Sequence, residues 1–186
     1  MSRVFIIHGW GGSPTKDWIP WVVEMLRMKG YEVITPAMPS TDSPNIEGWV
    51  NKLKEVVGIP QENDILIGHS IGCQTILRFL ENLEDGSRVR KVILVAPWLK
   101  LENLSSDEEW KIAEPWLHEP IEFNAVRPKA DSFVAIFSSN DLWVPLKENV
   151  SMFTAKLQPK IIIKNNKGHF SEDDGVTELP EILDLL

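Results

Sequence analysis

Six short apolar runs rich in valine and isoleucine punctuate the chain: VFIIH (4–8), EVITP (32–36), DILIG (64–68), KVILVA (91–96), FVAIFS (133–138) and KIIIK (160–164). They are nearly continuous in apolarity rather than alternating, which is the pattern of strands covered on both faces. Longer amphipathic stretches lie between them and predict helices. Residues 17–29 set Trp18, Trp21, Val22, Met25 and Leu26 near one face and stop at Gly30, a suitable residue just past a helix end. Residues 45–57 follow a proline-rich loop and end at Gly58, and residues 70–83 carry Ile71, Thr75, Leu77, Leu80 and Leu83 in helical register. Segments 146–157 and 176–186 complete the helical set. Strand then helix, repeated without an internal repeat or low-complexity tract, predicts an α/β fold: a doubly wound, mostly parallel six-stranded sheet in one domain.

One interval breaks this alternation. Residues 97–130 are too long for a simple connection and hold Trp98, Trp110 and Trp116 with prolines at 97, 115, 120 and 128. An insertion of this kind after a strand predicts a short lid or pocket wall, against the plainer reading of a surface helix and loop.

Composition narrows the function classes. The chain has 186 residues, of which 43% are hydrophobic and 25% charged, and a formal net charge of −8. Such an acidic surface repels phosphate backbones, so nucleic acid is not an expected partner. Cys73 is the single cysteine, which forbids an internal disulfide and fits a reducing compartment. The opening MSRVFIIHGW has too short an apolar run for a signal sequence, and no stretch approaches the roughly 18 apolar residues of a membrane helix. A cytoplasmic protein without membrane association is expected.

The chemistry centres on LIGHSIGCQ (66–74). Gly68-His69-Ser70-Ile71-Gly72 falls where a predicted strand meets a predicted helix, the context of the G-x-S-x-G nucleophile elbow. Small residues two before and two after the serine avoid collision with the neighbouring strand and helix. The turn lifts the hydroxyl above the carboxyl edge of the sheet, at a helix N-terminus. The competing reading is a serine N-cap with incidental glycines. A nucleophilic serine needs a base, and in this chemistry the partners follow in the order Ser, Asp/Glu, His. Of the four histidines, His8 precedes the serine, His69 should point away from it within the elbow, and His118 lies in the insertion. His169, in NNKGHFSED after the last strand, satisfies order and position. Asp141, in FSSNDLWVP just past the fifth strand, is the candidate to orient the imidazole, although an aspartate in S-N-D is also an ordinary turn residue. Asp131 lies at the wrong edge, and Asp173 and Asp174 follow His169. The oxyanion would take one backbone N–H from Ile71 and a second from Trp10 in the HGWGGS loop (8–13) after the first strand. A strand order of 2-1-3-4-5-6 brings that loop and the Ser70 turn to one crevice.

The segments VFIIHGWGGSPTKDWIPWV, AMPSTDSPNIEGWV, DILIGHSIGCQTILRFLE, KVILVAPW, SSNDLWVP and NNKGHF resemble the YdeN-like and retinoblastoma-binding-protein-like serine hydrolases, a family of small α/β-hydrolases, through almost the whole length. The resemblance implies a compact α/β-hydrolase with a reduced sheet, a triad mapping onto Ser70, Asp141 and His169, and esterase activity on small acyl substrates. The family name also suggests retinoblastoma-pocket binding through L-x-C-x-E. Cys73 sits instead in I-G-C-Q-T, so no such partner is carried over.

The expected activity is hydrolysis of a small carboxyl ester through an acyl-enzyme, with no metal and no cofactor. Trp98, Trp116, Trp143 and Phe170 each adjoin a predicted active-edge loop and are candidates for the pocket wall or, equally, for core packing. A weakly active or non-catalytic ligand- or protein-binding module on the same fold, or a thioesterase or amidase using the same residues, are the alternative readings.

Overall fold

The computed structural model of the protein describes residues 2–186. Its six strands are β1 (Arg3–Ile7), β2 (Glu32–Ile34), β3 (Ile65–His69), β4 (Lys91–Val95), β5 (Phe133–Ser138) and β6 (Lys160–Lys164). They form one sheet in the order β2-β1-β3-β4-β5-β6, and every neighbouring pair is parallel. The helices are α1 (Ile19–Met28), α2 (Ile46–Val57), α3 (Ile71–Glu81), α4 (Asp107–His118), α5 (Phe123–Val126), α6 (Leu146–Lys156) and α7 (Glu181–Asp184). This is the compact, doubly wound α/β-hydrolase fold.

The near-continuous apolarity of the strands has the expected cause. Successive residues of β1 face different cores: Phe5 and Ile7 join one cluster with Trp49, Leu53, Ile76 and Leu80, whereas Val4 and Ile6 join the other with Ile19, Val22 and Leu26. The first cluster is closed by α2, α3 and the segment after β4, the second by α1 and the C-terminal residues. The edge strand β6 departs from this, with Ile163 half exposed between its two lysines. Helix α3 is buried from Ile71 to Leu80, because it lies beneath α2 and α5 as well as against the sheet. Its buried Arg78 donates to the carbonyls of Trp116 and Glu119 at the end of α4.

The predicted helix over 176–186 shrinks to the single turn α7. Pro180 disfavours helical backbone at the residue before it, so the helix starts only after the proline. Val176 and Leu179 are nonetheless buried and supply the apolar signal that suggested a helix. Within the long interval after β4, α4 begins at an N-cap where Ser106 accepts from the Glu109 amide, followed by three acidic residues in its first turn.

Candidate active site

The Ser70 turn is built by close packing of backbone on backbone. Ser70, between the end of β3 and the start of α3, has φ 53° and ψ −119°, a strained conformation for a residue with a side chain. Around it the glycines are sterically required. A Cβ on Gly72 would lie 2.4 Å from the Ile7 carbonyl oxygen, and one on Gly68 would lie 2.7 Å from the Cys73 nitrogen. The Ser70 amide donates to the Val95 carbonyl at 2.9 Å, which ties the turn to the end of β4.

The loop after β1 is fixed by partners at Met38, Thr41 and Asp42 that sequence reasoning did not single out. Gly11 donates to the Thr41 carbonyl at 2.9 Å, and the Trp10 indole donates to the Asp42 carbonyl at 3.1 Å. His8 accepts the Met38 amide at Nε2 and meets the Gly9 carbonyl with Nδ1 at 2.8 Å, so the proton sits on Nδ1. Burial lowers its pKa and keeps the ring neutral. Among the described residues, the amides of Trp10 and Ile71 enter no hydrogen bond.

Asp141 lies past β5 and serves in two ways at once. Its Oδ1 accepts the amides of Trp143 and Val144 at 3.0 and 3.1 Å, closing the turn. Its Oδ2 meets His169 Nδ1 at 2.7 Å, with the carboxylate almost wholly buried. The residue closes a turn with one oxygen and contacts the imidazole with the other.

The His169 loop is the most heavily tethered segment of the site. Gly168 and Phe170, on either side of the histidine, have φ of 50° and 59°. The Gly168 amide donates to Asn140 Oδ1 at 2.9 Å and the His169 amide to Asp174 Oδ2 at 2.8 Å. Asp174 Oδ2 also accepts the Ser171 amide while Ser171 Oγ accepts the Asp174 amide, the two bonds of a capping box. The S-x-x-D spacing of Ser171 and Asp174 was the available signal for this anchor. The His169 carbonyl accepts from His69 Nε2 at 2.8 Å, so the residue before the serine holds the main chain of the histidine. Burial foremost, and the neighbouring His169, lower the His69 pKa to about 4 and keep it neutral. With the His169 amide, carbonyl and Nδ1 all engaged, Nε2 is the group left free.

Ser70 and His169 line one cavity of about 320 Å³, together with Trp10, Trp98, Leu101, Leu104 and Trp143. Trp98 and Trp143 thus lie where the sequence suggested. The Trp143 ring stands edge-on to His169 at 5.2 Å and is 40% exposed at the cavity mouth. Trp116 and Phe170 do not reach the cavity. Trp116 is buried against Trp49 and donates to the Pro44 carbonyl. Phe170 is buried in the cluster on the opposite face of the sheet, because its left-handed backbone turns the chain inward directly after His169. Asp17 is an addition. Its Oδ1 accepts the Glu172 amide at 2.9 Å, linking the start of α1 to the histidine loop.

The chain's relatives agree with this architecture. A serine hydrolase family model matches residues 4–186. YdeN of Bacillus subtilis (strain 168) is 29% identical over 185 residues, spanning 100% of this chain and 94% of the relative. The crystal structure of the ydeN gene product superposes with a TM-score of 0.89 over 100% of this chain and 96% of that one. Two more distant structures share the fold. A YdeN-like hydrolase of Pectobacterium atrosepticum is 17% identical, with a TM-score of 0.72 over 100% of this chain and 89% of the other. Est1E of Butyrivibrio proteoclasticus, solved with ferulic acid, is 15% identical, with a TM-score of 0.73 over 99% and 89%. The strained serine turn and the family match over nearly the whole length lead to one conclusion: the chain belongs to the serine hydrolase family.

Proposed function

We propose that this enzyme hydrolyses small carboxyl esters, with Ser70 as nucleophile, His169 as general base and acid, and Asp141 as the group that orients the histidine. The observation that carries the reading is the 2.7 Å bond from His169 Nδ1 to the buried Asp141 carboxylate, beside a cavity that Ser70 also lines. Asp141 fixes the tautomer with the proton on Nδ1 and favours the imidazolium that forms during reaction. As Ser70 Oγ bonds to the acyl carbon, its proton passes to His169 Nε2 and the carbonyl π electrons move onto oxygen. The amides of Trp10 and Ile71 receive that oxyanion. His169 then protonates the departing alcohol, and water, deprotonated by the same nitrogen, releases the acid from the acyl-enzyme.

A cavity of about 320 Å³ is at the small end of ligand sites, which supports short acyl groups. Leu101, Leu104, Ser105 and Glu109, from the interval after β4, contribute to its wall, so we assign that interval the role of a pocket cover. The distant similarity to Est1E, solved with ferulic acid, is compatible with an ester substrate.

The test is hydrolysis of p-nitrophenyl acetate, butyrate and octanoate by the wild type and Ser70→Ala. The expected result is turnover that falls by at least about 10³-fold in the variant, with octanoate the poorest substrate of the wild type. Equal background rates in both proteins would overturn the esterase reading in favour of a ligand-binding module. Preference for matched thioesters or amides over esters would reassign the leaving group.

A further inference from the structure

Trp98 does more than line the cavity. Its indole Nε1 donates to Ser70 Oγ at 3.3 Å, and both side chains are buried. The indole cannot swing aside readily, because it is buried and because the main chain of Trp98 and of the two residues after it is held from two helices. Gln74 of α3 donates through Nε2 to the Trp98 carbonyl at 3.0 Å. Asn149 of α6 accepts the Leu99 and Lys100 amides at 2.7 and 3.1 Å through Oδ1 and donates through Nδ2 to the Lys100 carbonyl at 3.0 Å. Gln74 and Asn149 are essentially inaccessible to water. Burying an amide side chain is costly unless it is bonded; Asn149 is bonded through both Oδ1 and Nδ2, so its use here marks a segment whose position matters.

A serine oxygen has two lone pairs and one proton. During attack the proton goes to His169 and one lone pair goes to the acyl carbon. The other remains able to accept the Trp98 N–H throughout. As the proton leaves, negative charge gathers on Oγ and this neutral hydrogen bond becomes charge-assisted, hence shorter and stronger. In the tetrahedral intermediate Oγ is an ether-like oxygen and a weak acceptor. When the acyl-enzyme breaks down, the C–Oγ bond cleaves and charge returns to Oγ before His169 returns the proton, so the indole again faces a developing anion. An interaction stronger in the transition state than in either flanking state accelerates the step.

We propose that Trp98 is a catalytic residue: a fixed hydrogen-bond donor to the nucleophilic oxygen itself, distinct from the amides that receive the substrate's oxyanion. This rests on Ser70 being the nucleophile. The decisive experiment measures the second-order rate of Ser70 modification by an alkyl fluorophosphonate, in which the P–Oγ bond forms as fluoride leaves. It is paired with kcat and KM on p-nitrophenyl acetate. Trp98→Phe keeps an aromatic ring and removes the donor. Replacement of Trp98 by β-(3-benzothienyl)alanine keeps the bicyclic shape and exchanges N–H for sulfur.

Both changes are expected to slow modification and lower kcat by about three- to tenfold, the range of one lost hydrogen bond, with KM within twofold of wild type. Wild-type modification rates in the benzothienyl protein would overturn the proposal, as would a KM rise with unchanged kcat, which would leave Trp98 as pocket wall alone. Ser70→Ala separates the donor role of Trp98 from the nucleophile assignment on which it rests. If it is modified as fast as wild type, the assignment of the nucleophile fails. If it is unreactive while the Trp98 variants react normally, only the donor role fails.

Discussion

Burial holds both His8 and His69 neutral. His8 fixes the loop after β1 and His69 fixes the carbonyl of His169. Neither was marked as functional by its sequence position, because order alone excluded the first and adjacency to the serine excluded the second. Their effect on stability can be worked out. The folded pKa of His69, about 4, lies below the ordinary value of 6.5. As pH falls, the unfolded chain therefore takes up the proton first. Its contribution is complete above about pH 6.5 and is lost progressively toward pH 4, by a few kcal/mol. His8 shifts in the same direction. Urea unfolding of wild type and His69→Phe at pH 7 and pH 4.5 checks this. The variant is expected to lose less stability than the wild type between those two values. Equal losses would show that His69 does not resist protonation in the fold.

Among the elements, the junction of β3 with α3 was the most legible part of the site. Its glycine spacing reports a steric demand that the structure makes explicit at Gly68 and Gly72. Gly72→Ala would set a methyl group against the backbone of β1, where no flexible side chain can yield. Thermal unfolding is expected to show a loss of about 2 kcal/mol, and a variant as stable as the wild type would contradict this packing. The strands were equally readable, since a buried parallel sheet leaves continuous apolar runs. The tethers of the histidine loop were not. Asn140 acts on the Gly168 amide 28 residues away, where no local pattern points to it, and Asp174 left only the S-x-x-D spacing, which marks a helix start rather than a tether on His169. The same holds for the misassigned helix over 176–186, where buried side chains on an extended segment imitate a helical pattern. Trp116 and Phe170 misled for a related reason. A large aromatic beside an active-edge loop can turn into either core layer, and only backbone direction decides which.

At the scale of the whole molecule, strand order does the assembling. Placing β1 between β2 and β3 puts the ends of β1 and β3 side by side, which brings the HGWGGS loop against the Ser70 turn. The parallel run from β3 to β6 delivers Trp98, Asp141 and His169 from the ends of β4, β5 and β6 to that same edge. Residues spread over most of the sequence thus meet at one cavity, and no local motif could have carried that information without the topology. The proposed nucleophilicity of Ser70 rests on this edge. Its most direct test is peptide mass mapping after brief exposure of the native enzyme to an alkyl fluorophosphonate at neutral pH. A single adduct on Ser70 is expected, absent in Ser70→Ala and formed far more slowly in His169→Ala. An adduct on another serine, or none at all, would contradict it.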